Sequence, residues 1–292
     1  MIDVFKRIRI HPLFWVVIGL GVATGYFREL IMLFSIIFCH ELGHALAAKY
    51  FGWRIVKVEL LPFGGVLETE EYGNRPFREE FIVTLSGPVQ HLHLMLLSYF
   101  AYSYLPFWSY ADHSLFILHN LTILLFNLLP ILPLDGGRMM QLALAKFSPY
   151  RLALKQSLYL SLSFLVVCAS VTVIYFPLHL QLWFVLSFLL LANVLEWKQQ
   201  PFGYQRFLLE RVRKQRSPKG QIVRYVSQSM PIQEALKRLY KEKQTIYMIK
   251  EKGIQIEEHD LLRYWYNDYR SEMSIGEGII TLMTIDSSAS VW

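Results

Sequence analysis

The sequence predicts a mostly α-helical membrane protein: six transmembrane helices with a re-entrant β-hairpin loop, followed by a small C-terminal α/β domain. Three observations predict it. Of the 292 residues, 54% are hydrophobic and only 18% are charged, an apolar balance that soluble domains of this length rarely have. The apolar residues are gathered into runs close to the ~20 residues a helix needs to cross the hydrocarbon. From Gly220 onward the pattern changes to short β-type runs alternating with polar helical ones.

The expected spans are 12–27, 30–51, 81–104, 115–134, 157–176 and 180–197. The first follows the basic stretch FKRIRIHP without a small-residue cleavage site and reads as retained. Lys6, Arg7 and Arg9 precede it; Arg54, Lys57, Arg75 and Arg78 lie in the next loop on the same side. Lys146, Arg151 and Lys155 lie in the third, whereas the opposite loops hold only Arg28. Cytoplasmic loops collect Lys and Arg, so both termini are expected in the cytoplasm. Within the polar loop 53–80, VKVELLPFGGVLETEE alternates and is expected to turn at Gly64-Gly65, as a β-hairpin or re-entrant strand pair. Cys39 and Cys168 lie in apolar runs and read as small buried hydrophobes, not as a disulfide framework.

The net charge of +6 is concentrated after the last apolar run. Residues 198–292 carry 16 Lys+Arg against 11 Asp+Glu, many of them in KQQPFGYQRFLLERVRKQRSPKG. Residues 198–219 therefore read as a basic linker suited to the anionic headgroups of a lipid bilayer or to an acidic partner. No recognition motif accompanies the charge, so direct nucleic-acid binding is not expected. These boundaries divide the chain into 1–197, 198–219 and 220–292. In the tail, QIVRYV, QTIYMIK and GIQI read as strands; PIQEALKRLYKEK and EEHDLLRYWYND read as helices. A domain of about 70 residues is near the lower size for independent folding, so it is expected to lean on the membrane domain or on a second copy in a homo-oligomer.

The chemistry is concentrated in HELGH, inside the second span. His40 and His44 are four apart, share one helix face and can hold one metal ion. Glu41 is rotated about 100° from His40, within reach of a water on that metal. Titratable groups at membrane depth are costly unless they pair, which marks the cluster as functional. A third ligand is expected at Asp135, in NLLPILPLDGGRMM, where Pro130, Pro133, Gly136 and Gly137 break the fourth span. Broken helices at membrane depth are tolerated where they line a cavity. Spans two and four run in the same direction, which places Asp135 and His44 near the same face. His91 and His93 are two apart and point to different sides, so a shared metal is not expected there. His119 reads as a structural histidine on an apolar helix, and Gly87-Pro88 as a kink in the third span. Asn127 reads as a helix bridge or a contact to substrate backbone.

Peptide hydrolysis fits these groups: zinc lowers the pKa of a water to roughly 7, and Glu41 moves its proton. The substrate must be extended, and the glycine-bearing hairpin could add it as a strand. A metal or proton transporter is the rival reading, but it leaves Glu41 unexplained and calls for paired broken helices. A zinc site carried on a soluble domain would need a polar ligand cluster, and the tail offers only His259.

HELGH, then SGP in the next span, then NLLPILPLDGG in a later one, resemble the site-2 proteases, a family of intramembrane zinc metalloproteases. The resemblance covers the membrane half. Overall likeness is greatest to the sporulation members, in which a six-span protease is fused to a C-terminal cystathionine-β-synthase-type (CBS) domain. VSQSMPIQEALKRLYKEKQTIYMIK resembles the first half of such a domain. Many family members have Asn-Pro-Asp-Gly at the third ligand, where this chain has Pro-Leu-Asp-Gly-Gly. The resemblance implies His40, His44 and Asp135 as zinc ligands and Glu41 as catalytic base. It implies that Pro62, Phe63, Gly64, Gly65, Val66 and Asn127 help hold an extended substrate. In the sporulation branch that substrate is a membrane-associated pro-sigma factor, inhibitory membrane proteins restrain cleavage, and the CBS domain responds to ATP. The branch works in the membrane surrounding the forespore, with the active site facing the mother cell.

Overall fold

Helices long enough to leave no backbone group unpaired in lipid dominate the computed structural model, which describes residues 7–61, 64–70, 73–213, 220–251, 253–267 and 274–276. In chain order the elements are β1 (Ile8–Ile10), α1 (Pro12–Thr24), α2 (Phe27–Tyr50), β2 (Ile55–Leu61), β3 (Gly64–Thr69), α3 (Phe77–Tyr104) and α4 (Tyr110–Asn127). They continue as α5 (Asp135–Phe147), α6 (Tyr150–Tyr175), α7 (Leu180–Arg213), β4 (Gln221–Val226), α8 (Ile232–Leu236), β5 (Gln244–Ile249), β6 (Gln255–Glu257) and α9 (Glu258–Asn267).

Among the described residues, four helices are long and apolar enough to cross a membrane: α2, α3, α6 and α7. Their outward faces carry exposed Leu92, Leu96, Leu97, Val166, Val167, Ile174, Phe184 and Leu191, which water would penalise and lipid does not. Helix α1 has 13 residues, about 20 Å at ~1.5 Å rise, and is shorter than these four. Helix α4 stops at Asn127, and residues 128–134 run non-helically into α5. The last crossing helix is longer than expected: α7 has 34 residues, or ~51 Å, so its basic end continues past the apolar window.

The chain forms two compact units. The first draws on residues up to 71, on Phe77–Met140 and on Ser161–Leu190. In it, Met32, Ile36 and Phe116 pack α2 against α4, while Ile131, Leu165 and Leu189 anchor the broken segment. The Leu132 amide inside that segment donates to Ser161 Oγ at 2.8 Å, one backbone donor that helix would otherwise satisfy. At the N-terminus of α4, Ser109 and Asp112 form a reciprocal capping box, and Arg28 reaches Asp112 at 2.8 Å.

The predicted hairpin is present, with a shifted turn. Leu61 pairs with Gly64 and Leu60 with Gly65, so both glycines lie in β3 rather than at the turn. Pro62 and Phe63, between the two strands, lie outside the described residues. The sheet also has a strand that alternation did not reveal: Ile8–Ile10 pairs in parallel with Val58–Leu60. Ile55 and Val58 seat this sheet on Ala45 and Ala48 of α2, in the turn that follows His44.

The second unit comprises 72–76, Gln141–Leu160 and the chain from Leu191. Its three-stranded sheet has the order β4-β5-β6, with β4 parallel and β6 antiparallel to β5. The five tail elements expected from the sequence all form, but α8 spans only Ile232–Leu236. The reason is competition for carbonyls. Beyond Leu236 the amides of Arg238 and Leu239 bond three residues back, and the Tyr150 amide takes the Leu239 carbonyl. Arg211 Nη1 takes the Tyr240 carbonyl at 2.6 Å. Arg211 also pairs with Glu258 at 3.0 Å, and burial pushes the Glu258 carboxyl up despite that cation. Tyr204, Phe207 and Leu208 from the end of α7 complete the core around Tyr247, Ile249, Leu261 and Leu262.

Phe207 is wholly buried. Phe207→Ala is expected to cost about 3–5 kcal/mol. Hydrogen-exchange mass spectrometry of the full chain in detergent should find peptides from β4 and β5 losing protection while those from α2 keep theirs; unchanged protection in β5 would refute the assigned core.

Candidate metal centre

Helix α2 carries His40 and His44 one turn apart on a buried face, and both rings are nearly sealed from solvent. Their Nε2 atoms lie 3.0 Å apart. Asp135, the first residue of α5, places Oδ2 3.1 Å from His40 Nε2 and 3.3 Å from His44 Nε2. The sequence pairing of HELGH with PLDGG is therefore realised in space, and these residues form a group that can hold a metal ion. Leu132-Pro133, just before Asp135, is a cis peptide.

Two glycines permit the approach of Asp135. A Cβ on Gly136 would sit 2.1 Å from the Leu128 carbonyl oxygen, and one on Gly137 would sit 2.5 Å from the Ile131 carbonyl carbon. The broken segment thus folds back across the first turn of α5, which only residues without side chains allow. The helix N-terminus also favours a carboxylate at that position.

The far side of each imidazole decides its tautomer. His44 Nδ1 lies 2.7 Å from the Val83 carbonyl, which can only accept, so His44 carries its proton on Nδ1. His40 Nδ1 faces His91 Nε2 at 3.0 Å. His91 Nδ1 in turn contacts Asn120 Oδ1, and Asn120 Nδ2 donates to the His91 carbonyl. With Asn120 oriented by that second bond, His91 donates from Nδ1 and accepts at Nε2, so His40 donates from Nδ1. Both Nε2 atoms are then bare lone pairs, and Asp135 Oδ2 is buried without a hydrogen-bond partner. Three lone-pair donors within 3.3 Å repel one another unless a cation sits among them. Tetrahedral ligation at ~2.0–2.2 Å places donor atoms about 3.3 Å apart, so the triangle fits a zinc ion.

Helices α3 and α4 supply this outer support, through His91 and Asn120 respectively, and here the sequence reading fell short. His91 and Asn120 are wholly buried and reach the centre through His40. His93 instead contacts Gln90, as its offset of two from His91 requires. The signal was Gly87 and His91 four apart, on one face of α3. A Cβ on Gly87 would lie 2.2 Å from His44 Nε2, which is the physical need behind glycine in SGP. Pro88 lies inside the helix without ending it.

Glu41 is buried beside the cluster, and the Gly65 amide of β3 faces its carboxylate. A Cβ on Gly65 would fall 2.2 Å from Glu41 Cγ. Gly64 pairs with Leu61 at the start of β3, and Val66 pairs with Glu59. Asn127 ends α4 and donates to the Ile123 carbonyl at 3.1 Å.

Two histidines, an acid positioned by a helix break and a buried glutamate among apolar helices define a metal-dependent peptidase of the membrane. Residues 28–114 match the model of peptidase family M50. The chain is 34% identical over 288 residues to stage IV sporulation protein FB of Bacillus subtilis, covering 94% of this chain and 97% of that one. It is 32% identical over 136 residues to a zinc metalloprotease of Methanocaldococcus jannaschii, covering 45% of this chain and 39% of that one. The solved site-2 protease of the same organism aligns with a TM-score of 0.51 at 26% identity, over 65% of this chain and 89% of that one. The chain belongs to peptidase family M50, the site-2 proteases. It is an integral membrane metalloprotease, and the transporter alternative falls away.

The outer support makes a specific prediction. His91→Ala should weaken zinc binding by about 10–100-fold in chelator competition. An unaltered affinity would mean that His91 does not orient His40.

Proposed function

We propose that this chain is an intramembrane zinc protease in which His40, His44 and Asp135 hold the metal and Glu41 moves the proton. The observation that carries the reading is the convergence of three bare donor atoms beside one buried glutamate. Bound zinc would supply Lewis acidity toward a water and a peptide carbonyl. Glu41 takes a proton from the attacking water and returns it to the leaving amine. Burial keeps this carboxylate beside the reacting atoms, and the Gly65 amide holds it in place. His91, Asn120 and the Val83 carbonyl hold the two imidazoles in their ligating tautomers.

The substrate enters as an extended strand. A helix hides its carbonyls in hydrogen bonds, so the cleaved segment must unwind. Strand β3 is the edge of its sheet, and Gly64 and Gly65 leave its backbone accessible for strand addition. Pro62, Phe63, Val66 and Asn127 complete the substrate-holding set. Likeness to the sporulation protein over nearly the whole chain supports a membrane-associated pro-sigma factor as substrate and inhibitory membrane proteins as regulators. The same likeness supports the domain plan: a six-span domain at 1–197, a basic linker at 198–219, and a CBS-like module at 220–292 that takes ATP and assembles homo-oligomers. Basic loops on one side support cytoplasmic termini, with the protease in the membrane around the forespore and its site facing the mother cell.

Glu41→Gln is expected to retain one zinc per chain by elemental analysis and to lose cleavage of a co-expressed pro-sigma factor by at least ~100-fold. Undiminished cleavage would remove Glu41 from the mechanism. Gly65→Ala should also retain zinc yet impair cleavage, because its Cβ would collide with Glu41; wild-type cleavage would place β3 away from the working site.

A further inference from the structure

Residues 128–134, between α4 and α5, have to deliver Asp135 to the two imidazoles, and their backbone donors can be followed one by one. Pro130 and Pro133 have no N–H to satisfy. The Leu128 and Leu129 amides reach back to the Leu124 and Phe126 carbonyls at 3.1 and 3.2 Å. Ile131 donates to the Leu129 carbonyl at 2.7 Å, and Leu134 to the Ile131 carbonyl at 2.9 Å. Leu132 is the exception: its amide turns away from the segment and donates to Ser161 Oγ of α6 at 2.8 Å. Leu132 and Ser161 are both wholly buried, so nothing from solvent replaces that acceptor if it is lost.

Ser161 is the polar member of an otherwise apolar face of α6. Leu165 and Cys168, four and seven residues on, share that face and pack with Leu189 around Ile131. Such apolar contacts are non-directional and hold the segment against α6 without fixing its register; a hydrogen bond is directional and does fix it. Three residues after Leu132 comes Asp135, whose Oδ2 lies 3.1 and 3.3 Å from the two histidine nitrogens. Gly136 and Gly137 permit that approach but, without side chains, do not enforce it. We propose that Ser161 is a positioning residue for the third metal ligand: by accepting from Leu132 it sets where the broken segment ends and so keeps Asp135 Oδ2 within reach of both imidazoles. Ser161 has this role only if Asp135 is a ligand, and through it α6 joins the elements that build the centre. Without the hydroxyl, the buried Leu132 amide is unsatisfied unless the segment turns toward another acceptor, and that turn carries Asp135 with it. Only chains with Asp135 in place then bind the metal with full strength, and apparent affinity falls by their fraction.

The test uses the purified full chain in detergent, with zinc for chelator competition and with cobalt for visible absorption. Ser161→Ala removes one oxygen and leaves the apolar packing in place. It should weaken zinc binding by about 10-fold and alter the cobalt d–d bands, as expected when a carboxylate ligand is lost from part of the population. Ser161→Thr keeps the hydroxyl and should restore both readouts, whereas Asp135→Ala should lose more affinity than Ser161→Ala. Unchanged zinc affinity and cobalt bands in Ser161→Ala, beside a loss in Asp135→Ala, would remove Ser161 and leave the ligand assignment standing. Equal losses in Ser161→Ala and Ser161→Thr would also overturn the proposal, since the hydroxyl would then not be the operative group. Unchanged affinity and bands in Asp135→Ala would overturn the ligand assignment, and the role of Ser161 with it.

Discussion

Everything in the first unit is arranged around one electrostatic demand: three lone-pair donors, two imidazole nitrogens and a carboxylate oxygen, are held within 3.3 Å of one another at membrane depth. Bare donors at that spacing repel, and lipid offers neither water nor ions to relieve them. The arrangement suits a metal ion, whose charge would relieve that repulsion. Its neighbours follow from the same demand. The Val83 carbonyl and the His91–Asn120 pair occupy the opposite edges of the two rings, so the protons are drawn away from the metal side.

Close backbone approach is the second constraint, and it explains where glycine occurs. Gly87 clears space for His44, Gly136 and Gly137 let the broken segment cross the start of α5, and Gly65 brings β3 against Glu41. Each would place a Cβ within 2.5 Å of a heavy atom if replaced by alanine. The motifs HELGH, SGP and PLDGG are thus complementary halves of contacts, a side chain on one element and a missing side chain on another. The helix break at 128–134 serves the same end, since a continuous α4 could not present Asp135 from the first turn of a new helix.

The second unit rests on a different principle. Its sheet is small, and the wholly buried Phe207 of α7 completes its core. Arg211, on the next turn, neutralises Glu258 and takes backbone carbonyls from the segment after α8. A single long helix thereby ends as a structural element of the module, over residues that composition marks as basic.

By itself the sequence determined the membrane class, the hairpin, the tail's order of strands and helices, and the group of residues that can hold a metal. These rest on local signals: apolar length, alternation, and a four-residue histidine spacing that places two side chains on one face. Only the tertiary structure decided the rest. His91 and Asn120 looked like isolated polar residues because their partners are 51 and 29 residues away, and no local period encodes such a contact. Gly64 and Gly65 pair within the strand instead of turning it, because Gly65 is required against Glu41. Strand β1 escaped notice because three residues are too few to alternate, and it exists only through pairing with β2. A motif announces which atoms can bind a metal; only packing determines which of their lone pairs are left free to do so.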